Sequence, residues 1–208
     1  MDVIKEVLRL LRARTDQSQF TFGRVDSPEL LNDVFRLRYQ IYCMERNFIK
    51  SDQCHNGLES DKYDPHSVHF FAADKHSVIA TIRLILDSPY GFPFEENCRG
   101  GLDIDINAFP KTRIAEISRY TIRQHLKSTK GIAFGLYSEM YRESKHRGIT
   151  HWFALMERPL YLLLRRYGFE FRPIGKEIEM YGTVIPYMAS IEDLEKALCQ
   201  KSSRSTKD

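Results

Sequence analysis

The first part of the chain alternates between helical and extended hydrophobic patterns. Over residues 1–14, apolar side chains recur at helical spacing with charges between them, which predicts an amphipathic helix. A short apolar run at 20–25 predicts a strand. A second helix is predicted from Pro28 to about Glu45, because a capping residue, Ser27, precedes the proline and apolar residues follow at helical spacing.

Three runs rich in β-branched and aromatic residues follow a polar loop at 47–65. These runs, at 68–73, 78–86 and 115–122, predict strands. The four residues 74–77 have the right length for a hairpin turn, so the first two strands are expected to pair.

The second half predicts helices and strands in alternation. The expected elements are a helix at 129–146, a strand at 150–156, a helix at 158–167, strands at 169–174 and 184–189, and a helix at 191–198. This order predicts an α/β (α+β) fold with one mixed, mainly antiparallel sheet flanked by helices.

Length and composition indicate a single folded domain. A chain of 208 residues with 42% hydrophobic and 28% charged residues is typical of one globular domain. We expect residues 1–19 to form an N-terminal helix and polar break, 20–199 the domain, and 200–208 a disordered tail. The apolar stretches are too short for a membrane-spanning helix, and the N-terminus lacks the features of a signal peptide.

Charge and cysteine content narrow the class of protein. The four cysteines are scattered without CxxC pairs, so the sequence predicts neither a disulfide framework nor a zinc cluster, and a reducing cytoplasm fits best. A net charge of +3 is too small to predict nucleic-acid binding, although a local basic patch could bind an acidic partner.

An acidic cluster stands directly before the first strand of the hairpin. Glu59, Asp61 and Asp64 lie within six residues. Like charges this close are expected to raise one another's pKa, which suits a base or a site that grips a cation. A solvated acidic loop is the alternative interpretation.

Charged residues also interrupt two apolar strands. Strand alternation places Glu116, Ser118 and Tyr120 on one face, and a glutamate in an apolar strand is costly to bury unless it is paired. Arg83, on a neighbouring strand, is also a charged residue in an apolar run and would need a partner if buried. Structural ion pairing among Arg83, Arg119, Glu116 and the acidic loop is one explanation.

Four short blocks carry a family resemblance. RYQIY (38–42), ESDKYD (59–64), IRLIL (82–86) and EISRY (116–120) resemble the signature blocks of the acyl-homoserine-lactone synthases and their relatives, the N-acyl amino acid synthases. HWFALMERPLYLLLRRYGFEF (151–171) and Ile185-Pro186-Tyr187 bring the resemblance closest to the exosortase-associated (PEP-CTERM) acyltransferases. The blocks cover roughly 34–189, and the resemblance implies a GNAT-like fold.

The resemblance also implies an activity and a set of site residues. It implies a cytoplasmic enzyme that transfers a fatty acyl group from acyl carrier protein to the amine of an amino acid, with no bound cofactor and no metal. The polar positions that match the family are Arg38, Glu59, Asp61, Asp64, Arg83, Glu116 and Arg119, with Tyr42 at an aromatic position. Lactone synthases carry a tryptophan between the first two blocks, where Phe48 is the aromatic residue here, so an amino acid is preferred over S-adenosylmethionine as acceptor.

Acyl transfer to an amine requires a base and a group that binds the acceptor. A protonated amine must lose a proton before it attacks, so Glu59 and Glu116 are the predicted catalytic carboxylates. Arg38 or Arg119 could hold an acceptor carboxylate by a bidentate contact. We expect the Glu59 loop and the Glu116 strand to converge around a cleft.

The predicted donor site lies on the strand at 118–122 and at the start of the helix that follows. A backbone N–H of this strand could stabilise the oxyanion. Thr121 is the strand's predicted contact to the pantetheine, whereas Ser118 is a predicted substrate-binding residue. Free amides at a helix start favour an anion such as the pantetheine phosphate, which adds Ser128, Thr129, Lys130 and Gly131. A plain helix cap explains Ser128 and Thr129 equally well.

A basic stretch at the end of the same helix is the predicted docking site for the carrier protein. Arg142, Lys145 and Arg147 could bind an acidic carrier protein, whereas a solvated helix end favoured by the helix dipole is the alternative. Two other functions stay open: lactone synthesis from S-adenosylmethionine, and a non-catalytic module that binds acyl chains or carrier protein. An acetyl-coenzyme A acetyltransferase is disfavoured because a glycine-rich pyrophosphate loop is missing.

Overall fold

The computed structural model describes residues 3–15, 19–124, 126 and 130–205. The α-helices are α1 (Val3–Arg12), α2 (Pro28–Tyr39), α3 (Pro93–Asn97), α4 (Lys130–Arg147), α5 (Arg158–Tyr167) and α6 (Ile191–Ser205). The strands are β1 (Thr21–Arg24), β2 (Ser67–Ala73), β3 (Val78–Ile85), β4 (Ile114–Ile122), β5 (His151–Met156), β6 (Arg172–Pro173), β7 (Ile178–Glu179) and β8 (Thr183–Ser190).

Helix α2 starts as its sequence predicts and then changes its winding. Ser27 caps the helix by accepting a hydrogen bond from the backbone N–H of Leu30 at 3.2 Å. After Tyr39 the chain continues as a π-helical turn over Gln40–Glu45. Such turns are rare and are often found at functional sites. Here the turn carries Tyr42, one of the predicted site residues.

The last third of the chain differs from the predicted pattern in two places. The expected strand at 169–174 is reduced to the two residues of β6. Its first residue belongs to the end of α5 instead, where the backbone N–H of Phe169 donates to the carbonyl of Leu164. The short strand β7 was not predicted. Helix α6 continues past the expected end at residue 198 to Ser205.

The chain forms two compact units built from interleaved segments. The first unit comprises Met1–Leu10, Leu86–Ile117 and Tyr141–Asp208, and the second comprises Leu11–Ile85 and Ser118–Met140. Strand β4 therefore begins in the first unit and ends in the second. The boundaries expected at residues 19/20 and 199/200 stay predictions.

The second unit contains the antiparallel strands β1, β2 and β3, followed in order by the end of β4. The turn between β2 and β3 forms as predicted, since Asp74 Oδ1 accepts hydrogen bonds from the amides of His76 and Ser77 at 2.8 and 2.9 Å. Helix α2 packs its apolar face on β3 through Val34, Leu37 and Val78.

A close approach in this unit requires a glycine. A Cβ atom on Gly135 of α4 would lie 2.3 Å from the ring of Phe22 on β1, which is far inside van der Waals contact. The glycine therefore lets the helix lie directly against the aromatic ring.

The first unit contains the mixed part of the strand arrangement. The start of β4 pairs in parallel with β5, and β5 pairs antiparallel with β8, which also pairs with β6 and β7. Its core is aromatic: Phe94 stacks on Phe153 at 4.7 Å between ring centroids, and buried Trp152 donates its indole N–H to Ser144 at 2.9 Å. The prediction of a mixed, mainly antiparallel α/β fold is confirmed. Among the described residues, no helix has the length and apolar character needed to cross a membrane.

Candidate active site

The acidic loop folds back on itself and is mostly buried. The amide of Asp61 donates to Asp64 Oδ2 at 2.6 Å, and the amide of Tyr63 donates to Asp61 Oδ1 at 2.9 Å. The Glu59 side chain is 2% exposed, and its backbone N–H donates to the carbonyl of Phe35 on α2. Burial of this kind requires positive partners, which three arginines of the same unit supply.

Arg38 is the fully buried member of the three. Its Nε donates to Glu59 Oε2, while Nη1 and Nη2 donate to the two carboxylate oxygens of Asp64 at 2.7 and 3.1 Å. The guanidinium also lies over the Phe35 ring, 5.1 Å from its centroid. These contacts occupy Arg38 inside the protein, so it serves to hold the acidic loop against α2.

Arg83 holds the other side of the loop from strand β3. Its Nη1 and Nη2 donate to Asp61 at 2.6 and 3.0 Å, and Nη1 also donates to Asp64. Its Nε donates to Ser118 Oγ on β4 at 3.0 Å. Arg83 therefore joins the predicted residues Asp61, Asp64 and Ser118 in one hydrogen-bonded group.

Arg119 completes the cluster from an unusual backbone position. It has φ = +53°, in the left-handed region that non-glycine residues rarely adopt, although it lies inside β4. Its Nη2 donates to Glu59 Oε1 and to Asp61 Oδ2, both at 3.0 Å. Its guanidinium carbon lies 5.4 Å from the centroid of the Tyr42 ring. The left-handed residue also interrupts the regular alternation that the sequence predicted for this strand.

The arginines reverse the predicted effect of the acidic cluster on its pKa values. Burial alone would raise the pKa of Glu59, but Arg38 and Arg119 outweigh burial and hold that pKa below its usual value. The pKa values of Asp61 and Asp64 are lowered in the same way, against burial, by their arginine partners. The expectation that these pKa values are raised is therefore wrong: Asp64 does raise the pKa of Asp61, but the arginine partners outweigh it.

A histidine that was not singled out from the sequence lies behind the cluster. His69 on β2 is 6% exposed, and its Nε2 lies 3.4 Å from the carbonyl oxygen of Asp64. Nδ1 is buried with no hydrogen-bond partner among the described residues. Burial and the nearby arginines lower the pKa of His69 to about 4, so the ring is neutral at pH 7. In the sequence, the position of this histidine within the apolar run 68–73 could have indicated that it is buried.

Glu116 lies in the first unit, near the start of β4. Its side chain is 1% exposed, and Oε2 accepts a hydrogen bond from the backbone N–H of Phe94, at the start of α3, at 3.0 Å. This amide fixes one carboxylate oxygen of Glu116. The predicted convergence of the Glu59 loop and the Glu116 strand stays a prediction.

The predicted donor-site residues are only partly described. Thr121 is buried and its hydroxyl donates to the carbonyl of Arg119 at 3.0 Å. Gly131 lies half-buried in the first turn of α4. Ser128 and Thr129 lie outside the described residues, as does the side chain of Lys130.

The basic end of α4 lies in the first unit with acidic partners. Lys145 pairs with Glu195 of α6 at 2.9 Å, and Arg147 pairs with Glu143 at 2.6 Å. Arg142 is exposed. The pairing reduces the net positive charge that the sequence predicted for this surface.

Comparison with known proteins identifies the family of the chain. The model of the family described as N-acyl amino acid synthase FeeM matches residues 33–188. A search of the curated proteins gives no match to this chain.

Three solved structures have a similar fold. BjaI, a coenzyme A-dependent acyl-homoserine lactone synthase solved with S-adenosylmethionine and isopentyl-coenzyme A, has 20% identity and a TM-score of 0.67 over 88% of this chain and 89% of its own. FeeM itself, from uncultured soil microbes, has 13% identity and a TM-score of 0.63 over 86% and 94%. A Lactobacillus plantarum protein to which N-acetyltransferase activity is ascribed has 16% identity and a TM-score of 0.59 over 83% and 99%. These similarities confirm the GNAT-like fold.

Proposed function

The chain belongs to the N-acyl amino acid synthase FeeM family, and from this premise we propose that it transfers a fatty acyl group from acyl carrier protein to the amine of an α-amino acid. Acyl transfer is the activity of the family. The carrier-protein donor and the amino-acid acceptor are the two further parts of our proposal. The association with an exosortase system that the sequence suggested stays a prediction.

One observation carries the choice of acceptor: the two most exposed ionic side chains of the cluster have opposite charges and touch each other. Asp61 is 24% exposed and Arg119 is 14% exposed, whereas Arg38 and Arg83 are 0% and 1% exposed. An α-amino acid presents an ammonium beside a carboxylate. Asp61 can bind the ammonium and Arg119 can bind the carboxylate, so this pair matches the head group of an amino acid.

Arg119 therefore replaces Arg38 as the preferred acceptor-binding arginine. Nη1 of Arg119 makes no hydrogen bond to any residue that the structure describes, so it keeps its donors for a ligand. The Tyr42 ring beneath the guanidinium limits its movement. A fixed, planar donor is suited to a bidentate contact with a carboxylate.

The two predicted bases differ in suitability. Glu59 is paired with Arg38 and Arg119, and its lowered pKa makes it a weak proton acceptor. We assign it the role of holding Arg119 in place. Glu116 stays the predicted base. A base in this reaction takes the proton of the acceptor ammonium, directly or through water, so that the neutral amine can attack. The new C–N bond then forms as the C–S bond of the thioester breaks and the carrier thiol leaves.

The decisive experiment varies donor and acceptor together. The purified chain is incubated with an acyl-carrier-protein or acyl-coenzyme A thioester, and with either mixed amino acids or S-adenosylmethionine. Mass spectrometry of the products should find N-acyl amino acids formed from the carrier-protein thioester. S-adenosylmethionine is the rival acceptor, because it carries the same α-amino acid head group. An acyl-homoserine lactone as the product would therefore establish lactone synthesis instead. Tight carrier-protein binding without product from any acceptor would establish a non-catalytic module.

Carrier-protein docking is tested separately at the end of α4. Replacing Lys145 and Arg147 with glutamate should raise the KM for the carrier-protein thioester and leave the KM for the coenzyme A thioester unchanged, because coenzyme A lacks the acidic protein surface. An unchanged KM for the carrier-protein thioester would reject docking at these residues.

A further inference from the structure

Two thiols lie in contact beside the ionic cluster. Cys43 follows Tyr42 in the π-helical turn, and Cys54 ends the short helical turn Ser51–Gln53. Their sulfur atoms are 3.3 Å apart. Cys43 is 3% exposed, whereas Cys54 is half-buried and reachable from solvent. Both are free thiols in this structure.

We propose that Cys43 and Cys54 form a reversible redox pair, and that their disulfide fastens the turn carrying Tyr42 to the segment that leads into Glu59. This inference goes beyond the acyl-transfer reaction and does not depend on it. No sequence pattern indicates the pair, because eleven positions separate the two cysteines and no CxxC motif is present.

The fold brings the thiols together through a reversed chain. The backbone amides of Phe48 and Ile49 both donate to the carbonyl of Tyr42, at 2.8 and 3.2 Å, which turns the chain back on itself. Asn47, at the start of this reversal, has φ = +52°. Forming the bond shortens the sulfur–sulfur distance from 3.3 Å to about 2 Å, so the two sulfur atoms must approach by only about 1 Å.

The chemistry balances with a small disulfide, such as oxidised glutathione, as the oxidant. The thiolate of the more exposed Cys54 attacks one sulfur of the oxidant, which releases one glutathione and leaves a mixed disulfide on Cys54. Cys43 then loses its proton and attacks the Cys54 sulfur, and the second glutathione leaves. Two protein thiols are oxidised and one glutathione disulfide is reduced to two thiols.

The second step is the slower one. Burial, together with the contact to Cys54, raises the pKa of Cys43 to about 12, so little of its thiolate is present at neutral pH. Ring closure should therefore accelerate as the pH rises, whereas the first step takes place at the half-buried thiol of Cys54.

The disulfide would act on two members of the cluster at once. Tyr42, next to Cys43, lies under the Arg119 guanidinium, and Glu59 follows Cys54 by five residues and binds Arg119. A covalent link between the two segments restrains both supports of Arg119.

The test oxidises the full-length reduced chain with oxidised glutathione and maps its disulfides by digestion without reductant. The expected product is one internal bond between Cys43 and Cys54, which dithiothreitol removes. Cys199→Ser is the matched control, because Cys199 is also half-buried, and it should form the same bond. Cys54→Ser and Cys43→Ala should not form it. Stable glutathionylation of Cys54, pairing with another cysteine, or no oxidation would overturn the proposal.

Thermal unfolding supplies a second readout. The oxidised wild-type chain should melt at a higher temperature than the reduced chain, because the bond restrains the unfolded chain without distorting the native one. The Cys54→Ser chain should show no change after the same treatment. A Tm that does not rise on oxidation of the wild-type chain would show that the bond requires a distorted structure, and would overturn the proposal.

Discussion

Arg119 lies with its guanidinium over the ring of Tyr42, 5.4 Å from the centroid, while it donates hydrogen bonds to two carboxylates of the acidic loop. The two residues come from different elements, a π-helical turn and a strand interrupted by a left-handed residue. The π-helical turn and the left-handed backbone conformation therefore both help to place the side chain of Arg119. Residues held in sparsely populated backbone conformations persist where the surroundings impose them, and they cluster at functional sites.

Replacing Arg119 with lysine should weaken acceptor binding. Lysine keeps the charge but loses the planar fork, so the acceptor carboxylate loses a charge-assisted hydrogen bond worth about 1.5–3 kcal/mol. We expect kcat/KM for the acceptor to fall about 10- to 150-fold, with the KM for the thioester donor unchanged. Steady-state kinetics measures both. The control Arg99→Lys changes an exposed arginine and should behave as wild type.

Replacing Glu59 with glutamine should destabilise the protein. The substitution leaves buried Arg38 without one of its two carboxylates, and removing one partner of a buried ion pair costs about 3–5 kcal/mol. Urea unfolding should show this loss in the free energy of unfolding. Glu45→Gln, on the exposed side of the π-helical turn, should change the free energy by less than about 0.5 kcal/mol. Equal losses in the two variants would contradict the structural role of Glu59.

The free energy of unfolding should fall as the pH drops from about 6.5 to about 4. The folded-state pKa of His69 is about 4, below its unfolded value, so the unfolded chain binds a proton in this range that the folded chain does not. The sign of the linkage means that stability is lost on acidification, by about 3 kcal/mol for a shift of this size.

His69→Gln should flatten this pH dependence, whereas His76→Gln, at an exposed turn position, should not. Unfolding in urea across this pH range makes the comparison. Below about pH 4, the carboxylates of Glu59, Asp61 and Asp64 dominate, because their lowered pKa values stabilise the folded chain at higher pH and this contribution is lost as they are protonated. A histidine variant that keeps the wild-type slope between pH 6.5 and 4 would contradict a buried neutral His69.

Replacing Glu116 with glutamine should lower kcat rather than raise KM. General-base catalysis contributes about 100- to 10,000-fold to rate, and glutamine keeps the shape and the acceptor oxygen for the Phe94 amide. Single-turnover kinetics with a preloaded acceptor should isolate the chemical step. Glu170→Gln, at an exposed position, is the control. A wild-type kcat in the Glu116 variant would reject its role as base.

Local chemistry explains which parts of the fold the sequence predicted. Ser27 caps α2, with Pro28 in its first turn, and Asp74 caps the turn between β2 and β3. Both Ser27 and Asp74 accept hydrogen bonds from amides no more than three residues away. The strands β6 and β7 are two residues long and depend on pairing with β8, which is distant in sequence. A pattern within a short window does not contain that information.

In the candidate site, too, some features could be predicted from the sequence and others depend on residues that are distant in it. The matched motifs identified Arg38, Asp61, Asp64 and Arg83, and the structure brings them together. The direction of the pKa shifts was predicted wrongly. The sequence suggested ion pairing of Arg119 with the acidic loop as one explanation, but it does not show that Arg38 and Arg119, 21 and 60 positions from Glu59, both contact this carboxylate. The contact between the two thiols was hidden for the same reason.

The balance of three arginines against three carboxylates also bears on how a ligand arrives. A group of charges that cancels has a weak field at distances beyond the Debye length, so it neither draws in an ion nor repels one. A zwitterion of zero net charge is not attracted by such a field in any case. Its association rate should therefore vary little with ionic strength. The cluster would thus distinguish its ligand by the separation of two opposite charges rather than by their sum.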